Sequence, residues 1–213
     1  MGARFAKWRA VIRIAEGLPS WACVSANAHA LARYAALCQE KSVVPIVEPE
    51  VLMDGSHTIE RCEEVTENVL QAVFDALFVQ GITLEHMLLK PNMVIAGKEC
   101  PKQASVEEVS RATLRCLGRR APAAVPGIVF LSGGQDHVTA TLHLNAMNKL
   151  DGPKPWKLGF SYGRALQDEA LRAWGGKAEN VQSGHQRFVH RAGCVSAACL
   201  GNYSKSMETE LAA

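Results

Sequence analysis

The sequence predicts an α/β fold of the (β/α)8 barrel type, of which this chain supplies about five β/α units. Short apolar segments recur every ~30–45 residues and alternate with stretches of helical character, a spacing typical of parallel strands joined by right-handed crossovers. A doubly wound sheet fits this alternation too. Two further observations favour the barrel: polar residues lie near the C-terminal end of each segment, where barrels assemble active sites, and no glycine-rich dinucleotide fingerprint follows the first segment.

The predicted strands are the five short apolar segments, and they cover residues 5–12, 43–51, 87–94, 127–131 and 157–162. Between the second and third strands, residues 59–78 carry apolar side chains at helical intervals, which predicts an amphipathic helix with Glu60, Glu63 and Glu64 near its opposite face. Ser105 and Glu108 have the spacing of a capping box. A second helix is therefore predicted to start at residue 106 and to run to about Leu117, with Gly118 near its end.

The composition is that of an ordinary globular protein. Of 213 residues, 48% are hydrophobic and 21% are charged, and we interpret residues 1–200 as the barrel units and residues 201–213 as a polar C-terminal tail. The formal net charge of +2 is spread without a basic block, so no nucleic-acid partner is predicted. No apolar run approaches ~18 residues and no signal-peptide core opens the chain. We therefore expect no membrane partner and a cytoplasmic location, with a peroxisome-like organelle left open.

The cysteines and histidines follow no metal-binding pattern. Seven cysteines form an odd-numbered set without a Cys-x-x-Cys pair, which argues against a disulfide framework and against a zinc site. Seven histidines are scattered, and no His-Glu-x-x-His pattern occurs. We therefore expect no metal and no cofactor.

Lys90 has the most informative position of any charged residue. It follows three apolar residues and precedes Pro91, so a buried strand is expected to end on an amine. Burial disfavours the charged ammonium form of a lysine, and the neutral amine is a nucleophile. An isolated lysine at a strand end more often extends into solvent. The neighbouring segments decide between these two interpretations.

Two other predicted strands carry charged residues in alternation. Lys7 and Arg9 share one face of the first strand, and Glu48 and Glu50 share one face of the second. If these strands and the one that ends at Lys90 line a common mouth, the site combines an amine nucleophile, a second lysine and carboxylates for proton transfer. Taken alone, the two glutamates are also compatible with a solvated loop.

The last two predicted strands end in sequences suited to a phosphate, residues 132–134 (SGG) and residues 161–164 (SYGR). Glycine lets backbone amides approach an anion, serine adds a donor, a following helix contributes its positive end, and arginine binds phosphate bidentately. Barrels often bind a phosphate on the loops after their last two strands. The candidate substrate-binding residues here are Ser132, Gly133, Ser161, Gly163 and Arg164.

An amine nucleophile beside a phosphate site indicates Schiff-base chemistry on a phosphorylated ketone or aldehyde, in which the iminium ion draws electrons from a breaking carbon–carbon bond. Six segments of the sequence resemble class I fructose-bisphosphate aldolase. These segments are colinear, and the resemblance extends to about Tyr203. They are residues 5–9 (FAKWR), 44–50 (VPIVEPE), 88–93 (LLKPNM), 130–135 (FLSGGQ), 160–166 (FSYGRAL) and 173–177 (AWGGK).

The resemblance implies a role for each candidate residue. Lys90 would form the Schiff base, Glu48 would shuttle protons during imine formation, and Lys7 and Glu50 would be their electrostatic and acid–base partners. Arg9 would lie beside the substrate. The phosphate nearest the ketone would be bound by Ser132, Gly133, Gly163 and Arg164, with Trp156 in the segment that frames this mouth. The family reaction is the reversible cleavage of fructose 1,6-bisphosphate to dihydroxyacetone phosphate and glyceraldehyde 3-phosphate, by a homotetramer that needs no metal.

The resemblance begins at the family's fourth strand. It implies that the first three strands lie outside this chain, together with an aspartate for carbon–carbon bond cleavage and with a lysine and serines for the distal phosphate. Residues 136–139 (DHVT) replace an acidic run that is usual in the family, and residues 210–213 (ELAA) replace a tail that ends in tyrosine. We therefore expect negligible cleavage by this chain alone.

Several interpretations of this difference stay open. The chain is compatible with an incomplete record of a longer enzyme, which we favour, with a truncated gene product, and with a half-barrel that another chain completes. The alternative functions are a non-catalytic pseudoenzyme or scaffold, and another Schiff-base aldolase acting on a sugar phosphate. The preference between fructose 1,6-bisphosphate and fructose 1-phosphate also stays open.

Overall fold

Among the described residues, five parallel strands form one sheet, in the same order as in the chain. The computed structural model describes residues 2–209. Each strand pairs in parallel with the next one along the sequence, so all five predicted strands and their parallel arrangement are confirmed. The strands are β1 (Phe5–Ile12), β2 (Val44–Val51), β3 (Leu88–Leu89), β4 (Gly127–Phe130) and β5 (Lys157–Phe160).

In the described part of the chain, six α-helices connect and follow the strands. They are α1 (Trp21–Glu40), α2 (Ile59–Val79), α3 (Val106–Arg120), α4 (His137–Lys149), α5 (Arg164–Trp174) and α6 (Val181–Cys199). Because right-handed crossovers lead each time to the next strand in the same direction, the helices collect on one face of the sheet. The buried core lies between these two layers and includes Val47, Leu89 and Ile128 of the strands and Leu31, Leu70 and Leu144 of the helices.

The third strand is much shorter than predicted, with two residues instead of eight. Pro91 has no N–H to donate to a ladder, so the strand does not continue through it. Beyond it, the Val94 N–H donates to Thr113 Oγ1 at 2.9 Å, and the Lys98 N–H donates to the Met53 carbonyl at 2.8 Å. The apolar run therefore continues as a buried loop that is held by side chains and by the β2–α2 connection.

Both helices that the sequence delimits are present. The capping box at α3 is confirmed, because the Glu108 N–H donates to Ser105 Oγ and the Ser105 N–H donates to the Glu108 carboxylate. The helix continues past Gly118 to Arg120, since Arg119 and Arg120 both bind Glu67 of α2 across the helix pair. It ends at Arg120, with Ala121 as the C-cap before Pro122, about one turn later than the sequence predicts.

The sheet face opposite the helices is open. Alternate residues of β1 point to this face, where Phe5 is 63% exposed and Val11 is 43% exposed. Among the described residues, β1 and β5 each have one strand neighbour, so each leaves one edge unpaired. The open face and its two edges give the sheet the shape of part of a barrel wall.

The C-terminal segment packs on the helical layer as far as it is described. Arg191 of α6 is 1% exposed and forms an ion pair with Glu208, whose carboxylate also accepts from the Tyr203 hydroxyl. The predicted replacement of a family tail at residues 210–213 lies outside the described residues. Within residues 2–209, no helix has the length and apolar character required to cross a membrane.

Candidate active site

Lys7, Glu48 and Lys90 meet on the open face of the sheet. The parallel register aligns Arg9 of β1 with Glu48 of β2, and Lys90 follows β3, the next strand. Lys7 Nζ lies 2.8 Å from Glu48 Oε2, and Lys90 Nζ lies 3.1 Å from Glu48 Oε1. One carboxylate therefore contacts two amines, with one oxygen for each.

The two amines differ in their exposure to solvent. The side chain of Lys90 is 10% exposed, whereas that of Lys7 is 41% exposed, and the Glu48 side chain between them is 4% exposed. A buried ion is costly unless it is paired, so the carboxylate of Glu48 compensates the charge of Lys90. Lys90 is thus an enclosed amine with an acid–base group in contact, and it does not extend into solvent.

Arg9 and Glu50 form a second ion pair beside the first. Arg9 Nε donates to Glu50 Oε2, and this hydrogen bond raises the pKa of Arg9 above its ordinary value. The predicted alternation is confirmed, since two cations of β1 face two carboxylates of β2. The pairing is specific: Glu50 contacts the arginine, while Glu48 contacts both lysines.

Asn92 fixes the loop that carries Lys90. Its side-chain oxygen accepts from the Val51 N–H at 3.0 Å, and its amide nitrogen donates to Thr66 Oγ1 of α2 at 3.1 Å. The backbone N–H of Lys90 donates to the Val47 carbonyl at 2.8 Å. These bonds join the end of β3 to β2 and to α2, and they hold Lys90 next to Glu48.

The two glycine-containing loops lie side by side after β4 and β5. Ser132 is 5% exposed, and Gly133 and Gly134 have φ angles of 61° and 87°, which favour glycine. Gly163 is the N-cap of α5 and makes no side-chain cap bond, so no cap side chain occupies the first amides of α5, the kind of groups that bind anions. Across the loops, a Cβ atom built on Gly134 would lie 3.3 Å from Arg164 Nη2.

Lys90 and the two loops, residues 132–134 and 161–164, face a common opening at the C-terminal end of the sheet, which we call the mouth. The Leu131 N–H donates to the Pro91 carbonyl at 3.1 Å, and the Ser161 N–H donates to the Phe130 carbonyl at 2.8 Å. These two bonds continue the order of β3, β4 and β5 into the segments that follow them. The structure thus brings the predicted amine, carboxylates and phosphate loops to one end of the sheet.

The expectation for Trp156 is wrong. Trp156 directly precedes β5, whereas Ser161, Gly163 and Arg164 follow it, so the tryptophan lies at the opposite end of the sheet. Its side chain is buried, and its Nε1–H donates to the Pro122 carbonyl at 2.8 Å. Trp156 therefore anchors the start of β5 and does not frame the phosphate mouth.

The sequence did not reveal the roles of three residues at this end of the sheet. Asn92 and Thr66 position the Lys90 loop, and Lys98 Nζ would lie 2.9 Å from a Cβ atom built on Gly134. A buried threonine within an otherwise apolar helix face was an available signal for Thr66. No feature of the sequence indicated a role for Lys98, because its proximity to Gly134 depends on the path of the loop after β3.

Away from this mouth, His190, Cys194 and Glu208 have potential ligand atoms within 4.8 Å of one another. The sequence spacing did not reveal this group, because Glu208 lies on a later segment. Both oxygens of Glu208 already accept from the guanidinium of Arg191. The carboxylate is thus committed to a buried cation.

Comparison with known proteins settles the family. Residues 1–213 match the protein family described as "Glycolytic: Fructose-bisphosphate aldolase class-I". The chain belongs to this aldolase family. Fructose-bisphosphate aldolase B of Gallus gallus is 55% identical over 212 residues, which are 100% of this chain and 58% of that protein. The fructose-bisphosphate aldolase of Dictyostelium discoideum is 54% identical over 210 residues, which are 98% of this chain and 58% of that protein.

The fold agrees with that of a solved aldolase. A structure of the Plasmodium falciparum fructose-bisphosphate aldolase superposes with a TM-score of 0.93 at 50% identity, over 95% of this chain and 59% of that one. This chain thus spans less than two thirds of the length of these aldolases. The coverage and the open sheet are consistent with the prediction that it corresponds to the C-terminal portion of the family's barrel.

Proposed function

We propose that this chain supplies the Schiff-base part of a class I fructose-bisphosphate aldolase, which cleaves fructose 1,6-bisphosphate reversibly to dihydroxyacetone phosphate and glyceraldehyde 3-phosphate. The observation that carries the proposal is the enclosed Lys90 amine, 3.1 Å from a buried carboxylate. An amine with a proton donor and acceptor in contact is the equipment that imine formation requires. The likeness to relatives that are named fructose-bisphosphate aldolases supports the substrate.

In the proposed reaction, the neutral amine of Lys90 attacks the C2 carbonyl of the ketose. Water leaves as protons pass through Glu48, and an iminium ion remains. When the bond between C3 and C4 breaks, its electron pair moves into the iminium, and the C4 hydroxyl gives its proton to a base. Glyceraldehyde 3-phosphate leaves, the enamine is protonated at C3, and hydrolysis of the imine releases dihydroxyacetone phosphate and regenerates Lys90.

Lys7 has a supporting role in this proposal. It contacts the second oxygen of Glu48, at 2.8 Å, so it orients the carboxylate and adds positive charge beside Lys90. Glu50 and Arg9 form the adjacent pair, and Arg9 is exposed enough, at 47% of its side chain, to contact a substrate in the mouth.

The phosphate nearest the ketone is assigned to the two loops after β4 and β5. Backbone amides of Gly133 and Gly163 approach it, hydroxyls of Ser132 and Ser161 donate to it, and Arg164 binds it as a cation. The loops adjoin the Lys90 segment, so an anchored phosphate would hold the ketone beside the amine. Positioning of this kind contributes much of the rate in enzymes that join two reacting groups.

The direct test is to trap the imine with borohydride. The chain is incubated with dihydroxyacetone phosphate and sodium borohydride, and the adduct is located by peptide mass spectrometry. We expect one reduced adduct at Lys90 and none in Lys90→Arg. Lys41→Arg, at an exposed residue outside the site, serves as the matched control and should be labelled as the parent is.

The cellular context is part of the same proposal. Relatives include a protein named "Fructose-bisphosphate aldolase 4, cytosolic" from Arabidopsis thaliana, 54% identical over 202 residues, and this likeness favours a cytosolic location. The family resemblance favours a homotetramer for a protein with the complete barrel. Fractionation with an antibody and mass photometry test these two points.

A further inference from the structure

Lys98 lies on the loop after β3, outside the six segments that carry the family resemblance. Its backbone N–H donates to the Met53 carbonyl, which ties this loop to the β2–α2 connection. Its Nζ lies 3.3 Å from Asp54 Oδ1, in a pair whose side chains are 43% and 60% exposed. Ion pairs so open to solvent are weak and are screened by salt. Lys98 can therefore leave Asp54 for another anion at little cost in free energy.

The side chain of Lys98 reaches the phosphate loop. A Cβ atom built on Gly134 would lie 2.9 Å from Lys98 Nζ and 3.3 Å from Arg164 Nη2, so the two cations approach the same point from different elements. Gly134 has a φ of 87° and lacks a side chain, and both features let the cations come this close.

Two adjacent cations repel each other unless an anion lies between them. Within residues 2–209, Arg164 has no carboxylate within 4.0 Å, and Lys98 has only the exposed Asp54. The nearby carboxylate of Asp136 accepts from the Thr139 N–H at 2.9 Å and caps α4. Among the described residues, Arg164 is therefore without a carboxylate partner and Lys98 has only an exposed one, an arrangement that suits an anion such as a phosphate monoester at Gly134.

We propose that Lys98 is a further substrate-binding residue, which leaves Asp54 and binds, together with Arg164, the phosphate held at Ser132 and Gly133. This proposal rests on the proposed function, because it assigns one more contact to the same phosphate. Asp54 competes with the phosphate for Lys98 and binds this lysine when no substrate is present.

The test compares ligands with and without phosphate. The half-saturating concentration for borohydride labelling of Lys90 is measured with dihydroxyacetone phosphate and with dihydroxyacetone. In Lys98→Gln, we expect an increase of about tenfold with the phosphorylated ligand, as for loss of one charge-assisted hydrogen bond, and no change with the other ligand. Lys102→Gln, at an exposed lysine of the same loop, is the matched control and should change neither value.

A second variant tests the competition. Asp54→Asn releases Lys98 from its exposed partner, so the half-saturating concentration of dihydroxyacetone phosphate should fall about two- to threefold, the size expected for a surface ion pair. The double variant should behave as Lys98→Gln does, because Asp54 acts only through Lys98. An effect of Asp54→Asn that persists in the double variant contradicts this part of the proposal.

The two proposals fail in different ways. If the parent chain forms no adduct at Lys90, the proposed function is wrong, and Lys98 is then tested by titration with inorganic phosphate in isothermal calorimetry. Weaker phosphate binding in Lys98→Gln than in Lys102→Gln would still support the role of Lys98. If the parent forms the adduct and Lys98→Gln leaves both half-saturating concentrations unchanged, Lys98 does not bind the phosphate.

Discussion

Glu48 is held between two amines, and each of its oxygens contacts one of them. The sequence predicts that cations face carboxylates on these strands, because alternation along a strand fixes which side chains share a face. It does not predict that Glu48 contacts both lysines while Glu50 contacts Arg9. That choice depends on the strand register and on the position of Lys90 beyond β3, and both arise from packing distant in sequence.

Glu48→Gln removes the acid–base group and keeps the size of the side chain. We expect the rate of Lys90 labelling by dihydroxyacetone phosphate and borohydride to fall about 100-fold or more, the usual contribution of a positioned proton donor and acceptor. The measurement is the initial rate of adduct formation by intact mass. Glu85→Gln, at an exposed glutamate, should match the parent, and an equal rate in the Glu48 variant would remove Glu48 from the mechanism.

His143 offers a prediction about pH. The residue is 5% exposed, its Nδ1 lies 2.6 Å from Gln135 Oε1, and burial lowers its pKa to about 4. The unfolded chain, with an ordinary pKa of about 6.5, binds more protons between these values, so the free energy of unfolding is highest above pH ~6.5 and falls as the pH drops toward 4. The contribution is at most about 3 kcal/mol.

The variant for this prediction is His143→Asn, which keeps a hydrogen-bond donor for Gln135 and does not titrate. Urea unfolding is measured from pH 7.5 to pH 4.5. The parent should lose more stability than the variant over this interval. Parallel pH dependences would show that His143 does not titrate on unfolding.

At the scale of elements, local signals in the sequence predict helix ends better than strand ends. The capping box fixes the start of α3, because both of its bonds lie within four residues. The end of β3 depends instead on Pro91 and on partners such as Thr113, which lie in other elements. An apolar run does not distinguish a buried strand from a buried loop.

The conformation of the loop after β3 should depend strongly on the hydrogen bonds of Asn92. Asn92→Ala leaves the buried Val51 N–H and the Thr66 hydroxyl without this partner, so we expect the free energy of unfolding to fall by about 2 kcal/mol or more. Urea denaturation followed by circular dichroism measures the change. Asn68→Ala, on the exposed side of α2, should stay within about 0.5 kcal/mol of the parent. A similarly small effect at Asn92 would mean that other contacts hold the loop.

At the scale of the whole molecule, the sheet formed by residues 2–209 is part of a barrel wall, with two edges unpaired within that range and an open face. The family and the order of the strands could be predicted from the sequence, because the motifs at the strand ends are long and colinear. The position of Lys98 at the mouth could not be predicted from the sequence, because it depends on how the loop after β3 packs against the loop after β4. On the proposed function, the described mouth supplies an amine and one phosphate site.

We therefore expect this 213-residue chain to form the imine but to cleave fructose 1,6-bisphosphate at least ~100-fold more slowly than a complete relative, because the groups for the distal phosphate and for bond cleavage would lie on other strands of the barrel. A coupled assay of glyceraldehyde 3-phosphate release measures the rate, with the Gallus gallus protein as the reference. Turnover equal to that of the reference would contradict the assignment of those groups to other strands.

The central claim is that Lys90 is the amine that forms the Schiff base. The most direct measurement is peptide mass spectrometry of the chain after reaction with dihydroxyacetone phosphate and borohydride. A single reduced adduct on the peptide that contains Lys90, absent from Lys90→Arg and present in Lys41→Arg, is the predicted result. An unmodified Lys90, or an adduct that persists in Lys90→Arg at another lysine such as Lys7, would contradict the claim.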